Sequence, residues 1–70
     1  MKITYDHEVD ALYIRFKDTS VTTKHLAEGI AADYDAEGRL AGIEILDASK
    51  RLDDPRAFKQ VVLEDIALAG

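Results

Sequence analysis

The sequence contains no cysteine and no tryptophan, and it has a single proline and a single methionine. Without cysteine the chain forms neither a disulfide nor a thiolate metal site, and it lacks a thiol nucleophile. No apolar run approaches the roughly 20 residues that span a bilayer, and residues 1–6 do not resemble a secretory leader. We therefore expect a cytoplasmic protein that does not depend on disulfides.

Positive charge is also scarce: the chain has 9 Lys and Arg against 14 Asp and Glu, so its formal net charge is −5. Nucleic-acid affinity comes largely from basic side chains that displace counterions from phosphates. Neither nucleic acid nor an anionic membrane is therefore an expected partner. An acidic surface does favour encounter with a basic protein.

The chain of 70 residues is short enough to be a single domain, residues 1–70. A domain of this size buries only about 60% of its unfolded surface, and its core rarely supplies more than about 3–5 kcal/mol. Self-association is the remaining source of buried area, so a homo-oligomer, most simply a dimer, is expected.

Residues 1–47 show the alternation of apolar and polar side chains that is typical of strands. Lys2–Tyr5 and Ala11–Lys17 predict a first hairpin with a loop of about five residues. Val21–Glu28 carries more charge and is predicted as an edge strand. Together these segments indicate an antiparallel sheet.

The stretch Ile30–Leu46 predicts a second hairpin. Asp35-Ala36-Glu37-Gly38 fits a type I turn followed by a glycine in the left-handed region, which places Tyr34 opposite Leu40. A bulge at Ala41-Gly42 is then needed to return the following isoleucines to the inner face. With it, the inner face comprises Ile30, Ala32, Tyr34, Leu40, Ile43 and Ile45, and the outer face comprises Asp33, Asp35, Arg39 and Glu44.

After the sheet, residues 47–52 are expected to form one helical turn. Asp54-Pro55 is a typical helix start, and apolar side chains follow at helical spacing, so the sequence predicts a C-terminal helix over residues 54–68. Apolar side chains lie on more than one side of this helix, which again favours a dimer. The predicted fold class is α+β, with four or five antiparallel strands and one helix.

A calcium-loop pattern is the strongest suggestion of a metal site. Asp33, Asp35, Glu37, Gly38 and Glu44 fall at positions one, three, five, six and twelve of an EF-hand loop. The flanking segments read as strands, whereas an EF-hand requires helices. We therefore interpret the carboxylates as a solvated acidic turn and outer face, with Arg39 placed to pair with Asp35.

No catalytic pattern is present in the sequence. His7 and His25 have no zinc-site spacing, and the serines lack a nucleophile-elbow context. The glycines do not form a phosphate-binding loop. An enzyme is less expected than a binding protein, and no cofactor is indicated.

Four segments, in this order and spacing, resemble a known family: Ile3-Thr4-Tyr5-Asp6, Asp10-Ala11-Leu12-Tyr13-Ile14, Asp33-Tyr34-Asp35-Ala36-Glu37-Gly38-Arg39 and Gly42-Ile43-Glu44-Ile45-Leu46-Asp47-Ala48-Ser49. The chain is similar here to the domain of unknown function 2283 family of small prokaryotic proteins. The resemblance implies a compact free-standing domain, and it brings no activity, cofactor or catalytic residue. In size and acidity such proteins resemble antitoxins.

Three functions are compatible with these features. The leading hypothesis is a non-enzymatic protein-interaction module that self-associates. The second is a small-molecule or cation-binding domain that uses the outer-face carboxylates Asp33, Asp35 and Glu44. The third is an antitoxin-like partner of a small basic protein. The residues expected to matter for structure are Gly38, Gly42, Asp54 and Pro55.

Overall fold

A computed structural model describes residues 1–54 and 58–64. In chain order the elements are β1 (Lys2–Asp6), β2 (Ala11–Arg15), β3 (Thr22–Ala27), β4 (Ile30–Tyr34), β5 (Leu40–Leu46) and α1 (Ala48–Leu52). All pairings are antiparallel, and the strand order is β1-β2-β5-β4-β3. The α+β prediction is confirmed, and the predicted edge strand is indeed the outer strand β3.

The central turn has the predicted geometry. Gly38 lies in the left-handed region at φ 78° and donates its N–H to the Asp35 carbonyl at 3.0 Å. The Asp35 N–H donates to the Arg39 carbonyl at 2.9 Å. Asp35 side-chain oxygen also accepts the N–H of Glu37 at 3.0 Å, which fixes the turn further.

The predicted bulge is confirmed by the pairing of β4 with β5. Tyr34 is opposite Leu40, but Asp33 is opposite Gly42, so Ala41 is the additional residue. Beyond this step Ala32 is opposite Ile43 and Ile30 is opposite Ile45. The extra residue therefore returns both isoleucines to the face on which Tyr34 lies, because side chains alternate along a strand.

Helix α1 is capped by a residue from the β1–β2 loop. Asp10, at φ 54°, accepts the Ala48 N–H on its carbonyl at 2.9 Å. Its side chain accepts the Ser49 N–H at 3.0 Å and the Ser49 hydroxyl at 2.8 Å. Asp47 occupies the N-cap position, but it lies in the left-handed region and its side chain makes no capping hydrogen bond within the described residues. Asp10 supplies the capping acceptors instead. The first helical turn thus depends on a tertiary contact.

The helix predicted over residues 54–68 is wrong for the part that the structure describes. Residues 58–64 form a turn and irregular backbone, whereas 55–57, which include Pro55, and 65–70 lie outside the described residues. Short helices need a packed apolar face for stability. Val61, Val62 and Leu63 are instead largely exposed, and the Phe58 ring stacks on Tyr5 at a centroid distance of 4.2 Å.

The described part of the chain is essentially a single-layer sheet. Its buried apolar residues are Ala31, Ala32, Ala41 and Ala48, all small. Larger apolar side chains are partly or largely exposed. None of the described helices is long and apolar enough to cross a membrane.

Candidate functional site

One side of the sheet, here called the apolar face, collects aliphatic and tyrosine side chains from four strands. The register places Ile3 opposite Ile14, Tyr5 opposite Leu12, and Leu12 opposite Ile45. Residues that face each other across an antiparallel pair point to the same side. The apolar face therefore comprises Ile3, Tyr5, Leu12, Ile14, Ile30, Tyr34, Leu40, Ile43 and Ile45.

This face is partly open. Ile3 retains 44% of its accessible surface and Leu40 retains 42%. Over β1 and β2 the face forms a groove of about 330 Å³, lined by Ile3, Tyr5, Leu12, Ile14, Leu52, Phe58 and Val61. Such a surface is suited to apolar side chains, since the hydrophobic effect favours removing it from water.

The groove has a polar margin where the Tyr5 hydroxyl donates a hydrogen bond to Asp10 at 2.6 Å. This bond, with those from Ser49, holds the pKa of Asp10 below its usual range. The same bond raises the pKa of Tyr5, because its hydroxyl faces a negative charge. Strand β1, the β1–β2 loop and α1 are thereby joined at one edge of the groove.

The opposite side of the sheet carries a buried carboxylate. Asp33 on β4 is 8% exposed, and it accepts hydrogen bonds from the Thr23 hydroxyl at 2.6 Å and the Tyr13 hydroxyl at 2.5 Å. The bonds from Thr23 and Tyr13 lower the pKa of Asp33, and the carboxylate raises the pKa of Tyr13. Three strands, β2, β3 and β4, thus contribute to one ionised network.

Asp35 is likewise buried, at 8% exposure, and it is the partner of Lys17 rather than of Arg39. Its side chain also accepts the backbone N–H of Arg39 at 2.8 Å. The Lys17 ammonium, followed by this backbone bond, lowers the pKa of Asp35. The expected solvated acidic turn and outer face are therefore wrong for Asp33 and Asp35, because side chains from β2 and β3 cover the first carboxylate and Lys17, two residues after β2, covers the second.

The predicted metal candidates do not converge. Asp33 and Asp35 bind separate partners, Glu37 lies exposed in the turn, and Glu44 lies on β5 opposite Tyr13 and Ala31. Across residues 1–54 and 58–64, no three carboxylate or imidazole groups are grouped as a metal site requires. The carboxylate oxygens of Asp33 and Asp35 instead accept hydrogen bonds from neighbouring strands and loops.

Gly42 is required by a close approach rather than by its backbone angles. A Cβ at this position would lie 2.7 Å from the Tyr13 hydroxyl oxygen and 3.0 Å from the Ile14 carbonyl oxygen. Tyr13 crosses Gly42 to reach Asp33, so the glycine makes room for this network. Asp54 lies two residues after the end of α1.

Sequence reasoning missed Tyr13, Thr23 and Lys17 as partners of carboxylates, and it missed Asp10 as the acceptor for Ser49. The residues that they contact lie 10 to 39 positions away along the chain. The alternation in β2 does place Tyr13 on the polar side, and this was the available signal. Only the pairing of β2 with β5 brings its hydroxyl over Gly42 to Asp33.

The comparisons with known proteins identify a family but no function. The model of the family described as "Protein of unknown function (DUF2283)" matches residues 2–49, which include all five strands. No curated protein and no solved structure matches the chain.

Proposed function

Because the chain belongs to the DUF2283 family of proteins of unknown function, its role must be argued from its own surface, and we propose that it is a non-enzymatic protein-interaction module that self-associates. The observation that supports this is the apolar face. Stable domains bury such a face against a second layer of structure. Among the described residues only α1 and the segment around Phe58 approach it, at one end.

The energetics favour a second copy as the missing layer. Completing the burial of a side chain that is two-fifths exposed gives on the order of 1 kcal/mol, from about 1.5–3 kcal/mol for a full aliphatic side chain. A two-fold interface counts each side chain twice. Ile3, Tyr5 and Leu40 retain 37–44% of their surface, and the other six residues of the apolar face retain less. Two copies therefore gain about 6 kcal/mol or more, which is comparable with the roughly 4–15 kcal/mol that association costs.

The ligand-binding alternative, which relies on Asp33, Asp35 and Glu44, has less support. Asp33 already accepts bonds from two hydroxyls, and Asp35 accepts from Lys17 and the turn backbone. A cation at either carboxylate would have to replace these bonds. The geometry thus supports a structural use of the acidic residues and an interaction role for the apolar face.

Sedimentation velocity over a range of protein concentrations tests the proposal. The wild-type protein is expected to be a dimer at micromolar concentration. Leu40→Glu introduces a charge into the apolar face and should shift the protein to monomer. The matched control is Val9→Glu, because Val9 is 63% exposed in the β1–β2 loop and is not one of the nine residues of the apolar face.

A wild-type protein that sediments as a monomer at high micromolar concentration would refute the proposal. So would equal dissociation of the Leu40→Glu and Val9→Glu variants, because the effect would then come from net charge rather than from the apolar face.

A further inference from the structure

We propose that two copies of the chain meet through the outer edge of β1, antiparallel to each other, with Thr4 on the two-fold axis. The inference rests on the self-association proposed above and names the contact through which it occurs. It follows from three features of β1: its unprotected edge, the direction of its free backbone groups, and the order of its five side chains.

The two edge strands of the sheet differ in how they resist pairing. Strand β3 is irregular, with a register shift between His25 and Ala27, and it carries Lys24 and His25 in its middle. Bulges and charges of this kind protect an edge. Strand β1 pairs with β2 without a shift, all five of its residues are exposed, and its charges, Lys2 and Asp6, lie at its two ends.

Within residues 1–54 and 58–64, the backbone groups of Ile3 and Tyr5 on β1 have no hydrogen-bond partner. The Phe16 N–H donates to the Ala41 carbonyl at 2.8 Å, so the even-numbered residues of β2 direct their backbone groups toward β5. The odd-numbered residues consequently point toward β1, where they meet Lys2, Thr4 and Asp6. Backbone groups alternate in direction along a strand. The N–H and C=O groups of Ile3 and Tyr5 therefore point away from the sheet.

A second copy of β1 matches this edge in one register. With Thr4 opposite the second copy's Thr4, Ile3 lies opposite Tyr5 and Lys2 lies opposite Asp6. The two Ile3–Tyr5 pairs are those whose free backbone groups exchange hydrogen bonds. The side-chain pairs are Thr with Thr, aliphatic with aromatic, and Lys with Asp, which are all favourable cross-strand combinations.

Other registers lose these matches. A shift by one residue places polar side chains opposite apolar ones on the wrong face. A shift by two residues leaves Lys2 or Asp6 without an opposite charge. The Lys-Ile-Thr-Tyr-Asp order of β1 is thus complementary to itself only when Thr4 is central. This complementarity identifies the occupant of the edge as a second copy of the chain.

The edge contact also accounts for the covering of the apolar face. Ile3 and Tyr5 belong to that face, so joining two sheets at β1 gives ten strands with one continuous apolar side. Strands twist by about 20–25° each, so about 200° accumulates over ten strands. Sheets of about this size curl or split into two packed layers. The two halves then turn their apolar sides toward each other.

Charge reversal tests the register. Lys2→Asp places two acidic side chains opposite each other in both symmetric pairs, and Asp6→Lys places two basic ones there. Each variant alone is expected to dimerise about tenfold more weakly than wild type, because like charges directly opposite are destabilising. Lys2→Asp should not harm the subunit itself, since its neighbour within the sheet is Arg15.

An equimolar mixture of the two variants is the decisive sample. In the mixed dimer both pairs again join opposite charges, so affinity should return to near the wild-type value. The control is Lys50→Asp, an identical charge change in α1, which is expected to leave affinity unchanged. Hydrogen exchange gives a second measurement: the Ile3 and Tyr5 amides should gain protection with protein concentration, whereas Thr4, bonded within the sheet, should be protected throughout.

The possible results separate the two proposals. A monomeric wild-type protein refutes both. A second result would refute the β1 contact alone. In it the wild-type protein is a dimer that Leu40→Glu dissociates, but the three charge variants and the mixture all dimerise with the same affinity. Self-association through the apolar face would then remain. The same pattern is expected if the β1 edge receives an extended segment of another protein, so it also counts against a second copy at this edge.

Discussion

Replacing Gly42 by alanine probes the polar side of the sheet with one methyl group. Alanine in place of a strand glycine usually stabilises a protein by about 0.4–1 kcal/mol when its backbone angles suit both residues. Gly42 does not adopt a positive φ, so the backbone alone predicts that gain. The structure predicts the opposite sign, because the new Cβ would lie 2.7 Å from the Tyr13 hydroxyl oxygen.

The magnitude follows from the bond that the methyl group displaces. To relieve the contact, the Tyr13 ring must move, and its 2.5 Å hydrogen bond to Asp33 is lost or lengthened. A hydrogen bond to a charged group contributes about 1.5–3 kcal/mol. After the alanine gain is subtracted, Gly42→Ala should destabilise the protein by about 1–2 kcal/mol. For a chain of this length that lowers Tm by roughly 5–15 °C.

A double-mutant cycle in urea checks the cause. Tyr13→Phe removes the hydroxyl, so in that background Gly42→Ala should be much less harmful, and the two changes should couple by about 1 kcal/mol or more. Losses that add without coupling would show that the methyl group acts elsewhere, for example against the Ile14 carbonyl, and the reasoning about Tyr13 would be wrong. A stabilised Gly42→Ala single variant would refute it outright.

Three further predictions concern pH, the turn and the helix cap. The folded-state pKa of Asp33 is lowered, so its contribution to stability is present above its unfolded pKa of about 3.9 and is lost as pH falls through the lower folded value. Urea unfolding at several pH values should show this loss of stability in acid. The Asp33→Asn variant should lose less stability over the same pH range. An added Cβ at Gly38 would meet no described atom within 4 Å, so only the backbone strain at φ 78° matters there. Gly38→Asn should therefore lower Tm less than Gly38→Val, which is expected to lower the free energy of unfolding by about 1–3 kcal/mol. Equal losses from the two variants would contradict this. Because Asp10 caps α1, Asp10→Ala should speed hydrogen exchange at the Ser49 amide and leave exchange at the Tyr34 amide unchanged. Unchanged exchange at Ser49 would mean that the helix forms without this cap.

Local rules were sufficient to predict the central hairpin. The three-residue loop and Gly38 fix the register at Tyr34 and Leu40, and the alternation of the isoleucines then requires a bulge at Gly42. Each inference concerns neighbours in sequence or residues joined by one turn. Such contacts depend on the backbone conformations that each residue type prefers, and these preferences can be inferred directly from the sequence.

The burial of the carboxylates was not predictable in the same way. Asp33 looks solvent-facing within its own hairpin, and only strands β2 and β3, brought beside it by the order β1-β2-β5-β4-β3, supply Tyr13 and Thr23. Lys17 reaches Asp35 for the same reason. Nothing in the local pattern ranks Lys17 above the nearer Arg39 as the partner.

Over residues 58–64 the helix prediction failed through an analogous competition between local and tertiary signals. Asp54-Pro55 is the stronger cap by sequence, yet the described helix begins at Ala48, where Asp10 supplies the acceptors. A cap contributed by a distant loop also anchors the helix to the sheet. The valines Val61 and Val62, which follow Asp54-Pro55 in the chain, remain exposed.

The bulge at Ala41 connects the two sides of the sheet. A strand without it would shift every residue from Gly42 onward to the opposite face. Ile43 would then lie on the side of Asp33, and Glu44 would enter the apolar face. Deleting Ala41 would not have this effect, because it removes the additional residue together with the bulge and leaves Gly42 opposite Asp33 and Ile43 opposite Ala32. Inserting one alanine between Gly42 and Ile43 does move the isoleucines to the side of Asp33. That insertion should therefore damage both the Tyr13–Asp33 network and the surface proposed for self-association, whereas Gly42→Ala should damage only the first. A Gly42→Ala variant that loses stability but still dimerises, compared with an alanine insertion after Gly42 that loses both, would show that the number of residues between Leu40 and Ile43 sets the use of each face.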